Sequence, residues 1–301
     1  MDLPDLHRHL DGSLRPQTVA ALAAERGLVV PPDLPFSPGM GLSAALGRFA
    51  FTLSLLDTPA AVRRVADEIC RDAAADGVTT LEVRFAPQLH GGSIDALVDA
   101  ALEGLAGRAG LILCVLYGED PSLAYRLAEI GSSMGAVGLD LAGGPTPSHE
   151  WSMQSYAPGF RRAAELGLGR TVHAGEGRPP GEIRTAIERL GAQRIGHGTS
   201  LLDDPAVRDL VRERGVTIEA CPTSNWHTGI IDRVEDHPLA SWLEQGIRVC
   251  VNTDNTLLSA VSASEEHARA GRIRGMSPAL LAQAVAHGHA AAFRPGGAGS
   301  R

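Results

Sequence analysis

The sequence predicts a single (β/α)8 barrel, and three observations carry that expectation. Eight short β-rich runs alternate with longer amphipathic stretches, the pattern of βα units that build a parallel sheet. The length, 301 residues, is close to the usual size of such a barrel. Polar residues of metal-binding type sit where the apolar runs end, and barrel enzymes draw their chemistry from the C-terminal ends of several strands. An open sheet that binds a dinucleotide is the competing architecture. It would place G-x-G-x-x-G directly after its first strand, whereas here that run leads into His-Arg-His-Leu-Asp-Gly.

Taken in order, the first strand, Leu3–His7, runs straight into the histidine pair. A long insertion follows, roughly Pro16 to Val78, with more than one helix, including Thr58–Ala75, and a Pro/Gly-rich segment, Pro31–Gly41, suited to capping a barrel mouth. The later strands are Thr80–Phe85, Leu111–Tyr117, Val137–Leu141, Arg170–His173, Arg194–Gly196, Val216–Ala220 and Arg248–Asn252. Between them, 3.6-residue periodicity marks helices at Ile94–Ala109, Ser122–Gly131, Tyr156–Leu166, Gly181–Leu190, Pro205–Glu213 and His237–Glu244. The barrel is expected over residues 1–294, and the glycine-rich tail, 295–301, reads as a flexible end.

Composition narrows the function classes. A formal net charge of −8 and a pI near 5.8 give no basic field, which argues against nucleic acid as a partner. No apolar run is long enough for a membrane span, and the acidic start, Met1-Asp2-Leu3-Pro4-Asp5, is unlike a secretory signal; a soluble, cytoplasmic protein with a small-molecule substrate is expected. Four cysteines without a C-x-x-C pair, three of them (Cys114, Cys221 and Cys250) in strand-like runs, read as buried free thiols in a reducing compartment.

The chemistry concentrates at strand ends. Side chains at i and i+2 of a strand share a face, so His7 and His9 can aim into one barrel interior. His173 closes another strand, Ala174-Gly175 lets the chain turn toward Glu176, and Asp254 ends the last. Singly, a buried histidine is as readily a hydrogen-bonded core residue, and an aspartate after a strand as readily a helix N-cap. As an ordered set, His7, His9, His173 and Asp254 suit Zn²⁺ with one position left for water. His197 lies between two glycines that permit close approach. The other histidines, at 90, 149, 227, 237, 267, 287 and 289, fall in expected loops or helices and read as non-metal.

These residues lie in segments that resemble the adenosine deaminase family of the amidohydrolase superfamily. They are Leu6-His-Arg-His-Leu-Asp-Gly-Ser-Leu-Arg-Pro16, Leu81-Glu-Val-Arg-Phe-Ala-Pro87, Gly138-Leu-Asp-Leu-Ala-Gly143, Thr171-Val-His-Ala-Gly-Glu176, Arg194-Ile-Gly-His-Gly198 and Asn252-Thr-Asp254, in the family's order along nearly the whole chain. The resemblance implies one zinc, or another divalent transition metal, on His7, His9, His173 and Asp254, activating water for attack on C6 of a 6-aminopurine nucleoside. Glu176 would protonate ring N1, His197 would orient the water, and Asp254 would share in proton transfer. Gly143 would contact ring N3 and Asp11 the sugar near its 5′ end.

Departures from the family pattern bear on the substrate. Asn255-Thr256 stands where the family has an aspartate and a proline, and Asn255 can still donate to purine N7. Gly144-Pro145 replaces an acidic pair, and the chain is compact, without the terminal helices of larger relatives. Members with asparagine here are similar to bacterial deaminases of 6-aminodeoxyfutalosine, a 5′-extended adenosine on the menaquinone route. Arg84 is read two ways, as a receptor for a substrate carboxylate or as an ion-pair partner within the barrel. A cytidine-deaminase site would need P-C-x-x-C, which Cys221-Pro222 does not supply. The remaining alternatives are an amidohydrolase acting on another amino-substituted ring, and a non-catalytic nucleoside binder.

Overall fold

The computed structural model describes residues 2–146 and 148–293; the expected tail, 295–301, lies outside them. Eight parallel strands follow one another in sequence order: β1 (Leu3–His9), β2 (Val78–Phe85), β3 (Gly110–Leu116), β4 (Gly138–Ala142), β5 (Gly169–Ala174), β6 (Arg194–His197), β7 (Thr217–Ala220) and β8 (Arg248–Val251). Closure of the barrel runs through the C-terminal end of β8. Asp254 bridges Arg8 in parallel, its N–H donating to the His7 carbonyl at 2.8 Å and its carbonyl accepting from His9 N–H at 2.8 Å. Leu6 N–H adds a bond to Asn252 Oδ1 at 2.8 Å. This pairing carries β1 two residues beyond its expected end.

Among the described residues twelve helices surround the strands: α1 (Pro16–Glu25), α2 (Leu42–Leu55), α3 (Pro59–Ala75), α4 (Ile94–Leu105), α5 (Ser122–Met134), α6 (Ala157–Glu165), α7 (Gly181–Leu190), α8 (Pro205–Arg214), α9 (Pro222–His227), α10 (Leu239–Glu244), α11 (Ala263–Ala270) and α12 (Pro278–Ala291). The (β/α)8 barrel with a helical insertion after its first strand is therefore the fold. Helix ends differ from expectation for local reasons. α4 stops at Leu105 because Ala106 and Gly107 turn to φ 48° and 72°. α5 continues through Gly131, which packs closely against Leu113 and Ala136, and stops at Gly135 with φ 97°. α11 and α12 follow β8, where periodicity alone assigned nothing; α12 packs on β8 and β1. No helix among the described residues is long and apolar enough to cross a membrane.

The barrel interior is charged rather than aliphatic. Glu82, Arg84, Asp140, Arg194 and Glu219 point inward and are each 1% exposed or less. Buried charges persist only when paired. Arg194 pairs with Glu82 at 2.6 Å and Glu219 at 2.7 Å, and Arg84 pairs with Asp140 at 2.8 Å and Glu219 at 2.9 Å. Phe293 closes the lower end: its ring lies 3.6 Å from the Arg194 guanidinium and fills the space left by Gly169, and its N–H donates to Glu82. Arg194→Met should destabilise the protein by about 3–5 kcal/mol, since Glu82 would keep its charge without its arginine; urea unfolding of the two proteins measures this.

Candidate active site

At the upper end of the barrel the chain gathers the polar residues singled out by sequence. Facing ring nitrogens His9 Nε2 and His173 Nε2 are 3.3 Å apart, and Asp254 Oδ1 lies 3.6 Å from His7 Nε2 and 3.5 Å from His9 Nε2. Donor atoms of His7, His9 and His173 fall within 4.8 Å of one another, as do those of His7, His197, Cys221 and Asp254. His7 Nε2 is buried with no hydrogen-bond partner. An unpaired buried nitrogen among converging imidazoles and a carboxylate fits a cation, so the donor set suits a transition metal. Burial pushes the Cys221 thiol well above its usual range. All four cysteines are free and buried.

Two of the imidazoles are aimed by a carboxylate behind them. His7 Nδ1 contacts Glu219 Oε2 at 2.6 Å, and His173 Nδ1 contacts Asp140 Oδ1 at 3.1 Å. With Nδ1 donating to the carboxylate, Nε2 of each ring keeps its lone pair for the cavity. Burial holds His7 and His9 well below the ordinary histidine value. Burial also acts to lower His173, but adjacent Asp140 outweighs it and the group lies above that value. Arg84, wholly buried, ties the two carboxylates together and donates to the Leu6 carbonyl at 2.6 Å. It is therefore an ion-pair partner under the cavity floor, and no substrate carboxylate reaches it.

His197 and Asp254 adopt left-handed backbone, φ 64° and 61°, which costs non-glycine residues about 1–2 kcal/mol each. The turn directs both side chains across the strand ends. Gly196 must lack a side chain, since a Cβ there would stand 2.9 Å from His7 Cε1. Asn225 Nδ2 lies 3.1 Å from His197 Nδ1, and Glu176 Oε1 lies 3.7 Å from the same nitrogen. Donation from the Asn225 amide leaves the proton of His197 on its other nitrogen. Burial lowers His197 to about 3 and raises Glu176 above the ordinary carboxyl value, so a neutral imidazole faces a carboxyl that holds its proton more readily than a free one. Burial likewise raises Asp254.

Above this cluster lies a cavity of about 330 Å³, lined in part by Asp11, Gly143, Glu176 and Asn255. Asp11, raised by burial to about 7, has its Oδ1 unpartnered. Gly143 turns at φ 73°. A Cβ at Gly12 would fall 1.8 Å from Asn255 Oδ1, so the absence of a side chain there is what lets the Asn255 amide sit at the cavity wall. α2, from the long insertion, covers the mouth with Leu42, Ala45, Leu46, Phe49 and Leu53. Asp140, Glu219 and Asn225 are site residues that position at a strand end does not single out. A signal for the first two exists in retrospect: a lone carboxylate inside an otherwise apolar strand.

A parallel barrel with histidine and aspartate donors converging at its C-terminal face is the architecture of the amidohydrolase superfamily. Within it the chain belongs to the adenosine deaminase family, whose sequence model, "Adenosine deaminase", matches residues 3–298. Members of that family are hydrolytic deaminases. An adenosine deaminase from Clostridium perfringens is 35% identical over 295 residues, covering 88% of this chain and 86% of that protein. Among solved structures, an adenine deaminase from Arthrobacter aurescens superposes with a TM-score of 0.88 at 25% identity, covering 98% and 94% of the two chains. An amidohydrolase from Burkholderia ambifaria, solved with bound Zn, shares the fold with a TM-score of 0.84 at 23% identity, covering 98% and 86%. Asp140→Asn should weaken metal binding about 10–100-fold by loosening His173. Competition with a chromogenic chelator reads this directly, and unchanged affinity would reduce Asp140 to a barrel ion pair.

Proposed function

We propose that the protein is a zinc-dependent aminohydrolase that converts the 6-amino group of a purine nucleoside to a 6-oxo group, releasing ammonia. The observation that carries this reading is Glu176, a carboxyl raised by burial, 3.7 Å from His197, beside a cluster of metal-type donors. Simple binding of a nucleoside needs no buried proton donor. His7, His9, His173 and Asp254 would hold the ion, which when bound makes water nucleophilic at neutral pH.

The chain's own groups supply the rest. Protonated Glu176 donates to ring N1, withdrawing electron density from C6. The N–H of His197 steadies charge that develops on the incoming oxygen, and Asp254 takes the water proton and passes it toward the departing amine. One water is consumed and one ammonia leaves. The Gly143 N–H approaches N3, and the Asn255 amide donates to N7. Asp11 meets the sugar. Adenosine and 5′-extended adenosines such as 6-aminodeoxyfutalosine, a menaquinone precursor, are both within this reading. Four free buried thiols suit the reducing cytoplasm.

Glu176→Gln in the metal-loaded protein should lower ammonia release by about 10²–10⁴-fold with the metal retained. Full activity in that variant, or no release from any 6-aminopurine by the parent, would exclude the mechanism. For N7, Asn255→Leu should cost about 10–100-fold in kcat/KM on adenosine. The variant should also lose the parent's discrimination against 7-deazaadenosine, as a four-way comparison of rates will show.

A further inference from the structure

Resting on the deaminase reading, we infer that Glu266, a residue of α11 outside the cavity lining, is a positioning residue for the reaction. It fixes the start of α9 and, through that helix, the placement of Ser224 and Asn225 against Asp254 and His197.

α9 does not hold itself in place. It has six residues, and a helix so short is unstable alone. Cys221 precedes it without a side-chain cap, and Pro222 has no N–H, so Thr223 offers its first backbone donor. Glu266 takes that donor: Oε1 accepts the Thr223 N–H at 2.8 Å, and Oε2 accepts the Thr223 hydroxyl. Arg269, on the same face of α11, donates to Thr223 Oγ1 at 3.0 Å. Glu266 is 1% exposed, and burial raises its carboxyl to about 7 against the pull of the Thr223 donors. A cap from the helix's own preceding residue would serve local stability. A buried carboxyl from α11 instead ties α9 to a second element and so fixes where the helix lies.

The two residues after Thr223 reach the reacting groups. Burial raises Asp254, and a hydrogen bond from the Ser224 side chain works against that rise. Asn225 Nδ2 lies 3.1 Å from His197 Nδ1, while Asn225 Oδ1 is buried without a partner. With no bond at Oδ1 to steer the amide, the aim of Asn225 follows the backbone of α9. The far end of the helix is held separately, where the Trp226 and His227 carbonyls accept from the N–H groups of Gly39 and Met40 in the insertion at 3.1 and 2.9 Å. Loss of the Glu266 tie therefore leaves α9 hinged at its far end, with Ser224 and Asn225 displaced from Asp254 and His197.

The test is ammonia release from the parent's best 6-aminopurine nucleoside by metal-loaded Glu266→Ala, Glu266→Gln, Asn225→Ala and the double variant of Glu266→Ala with Asn225→Ala. Glu266→Ala should lower kcat about 10–100-fold, the scale of a small misplacement of reacting groups, with KM within about threefold of the parent. Glu266→Gln, whose amide oxygen still accepts the Thr223 N–H, should restore most of that loss. Because Glu266 acts in part through Asn225, the losses in the double variant should be less than multiplicative. If Glu266→Ala does not fold, Glu266→Asp, which withdraws the carboxylate by one methylene, takes its place in the same cycle. Unchanged kcat in the folded variant, a loss confined to KM, or fully multiplicative losses would each overturn this role while leaving the deaminase reading intact. No ammonia from any 6-aminopurine with the parent would overturn both.

Discussion

Two buried arginines that share one glutamate hold this barrel together. Glu219 pairs with Arg194 below and with Arg84 above, and Arg84 carries the link on to Asp140. Glu219 and Asp140 are also the groups that position His7 and His173. The charges inside the barrel thus do two things at once. They satisfy one another where water cannot, and they transmit the spacing of the strands to the imidazoles at the upper end. Burial acts to raise Asp140, but His173 and Arg84 outweigh it and hold the carboxyl well below its usual range. It stays an anion that can orient a ring N–H. Ligand geometry therefore rests on an interior that is expensive to assemble and rigid once paired.

Backbone strain is placed at the same end. His197 and Asp254 occupy left-handed conformations, and Asp254 also makes the main-chain bonds that close β8 onto β1. Closure of the barrel and placement of a donor carboxylate are one event. Gly12 and Gly196 show the complementary device, in which a missing side chain admits Asn255 or His7. Strain and close approach at a few strand ends are offset by the regular pairing of the other strands.

The cavity is divided by polarity along its length. Its inner end is a set of titratable groups that burial shifts in opposite directions, with His197 low and Glu176 high. Its outer end is an apolar helix stripe supplied by the insertion.

Much was legible in one dimension. Alternating runs defined all eight strands to within about two residues, because each strand keeps β-branched and aliphatic residues on its helix-facing side even where its inner side carries charge. His7, His9, His173, Glu176, His197 and Asp254 stood out because each follows such a segment, and the spatial structure brings all six to one end of the barrel. Helix ends at Leu105 and Met134 were not legible, since glycines at 107 and 131 serve turning and packing respectively. The sequence by itself determined the strand order and the side chains offered at each strand end, which follow from local periodicity and the fixed direction of βα units. Only the tertiary structure decided that Arg84 lies beneath the site, that Asp140, Glu219 and Asn225 aim its imidazoles, and that α2 covers its mouth. Those contacts join residues far apart in the chain, and local periodicity carries no information about which distant side chains must neutralise one another once water is excluded.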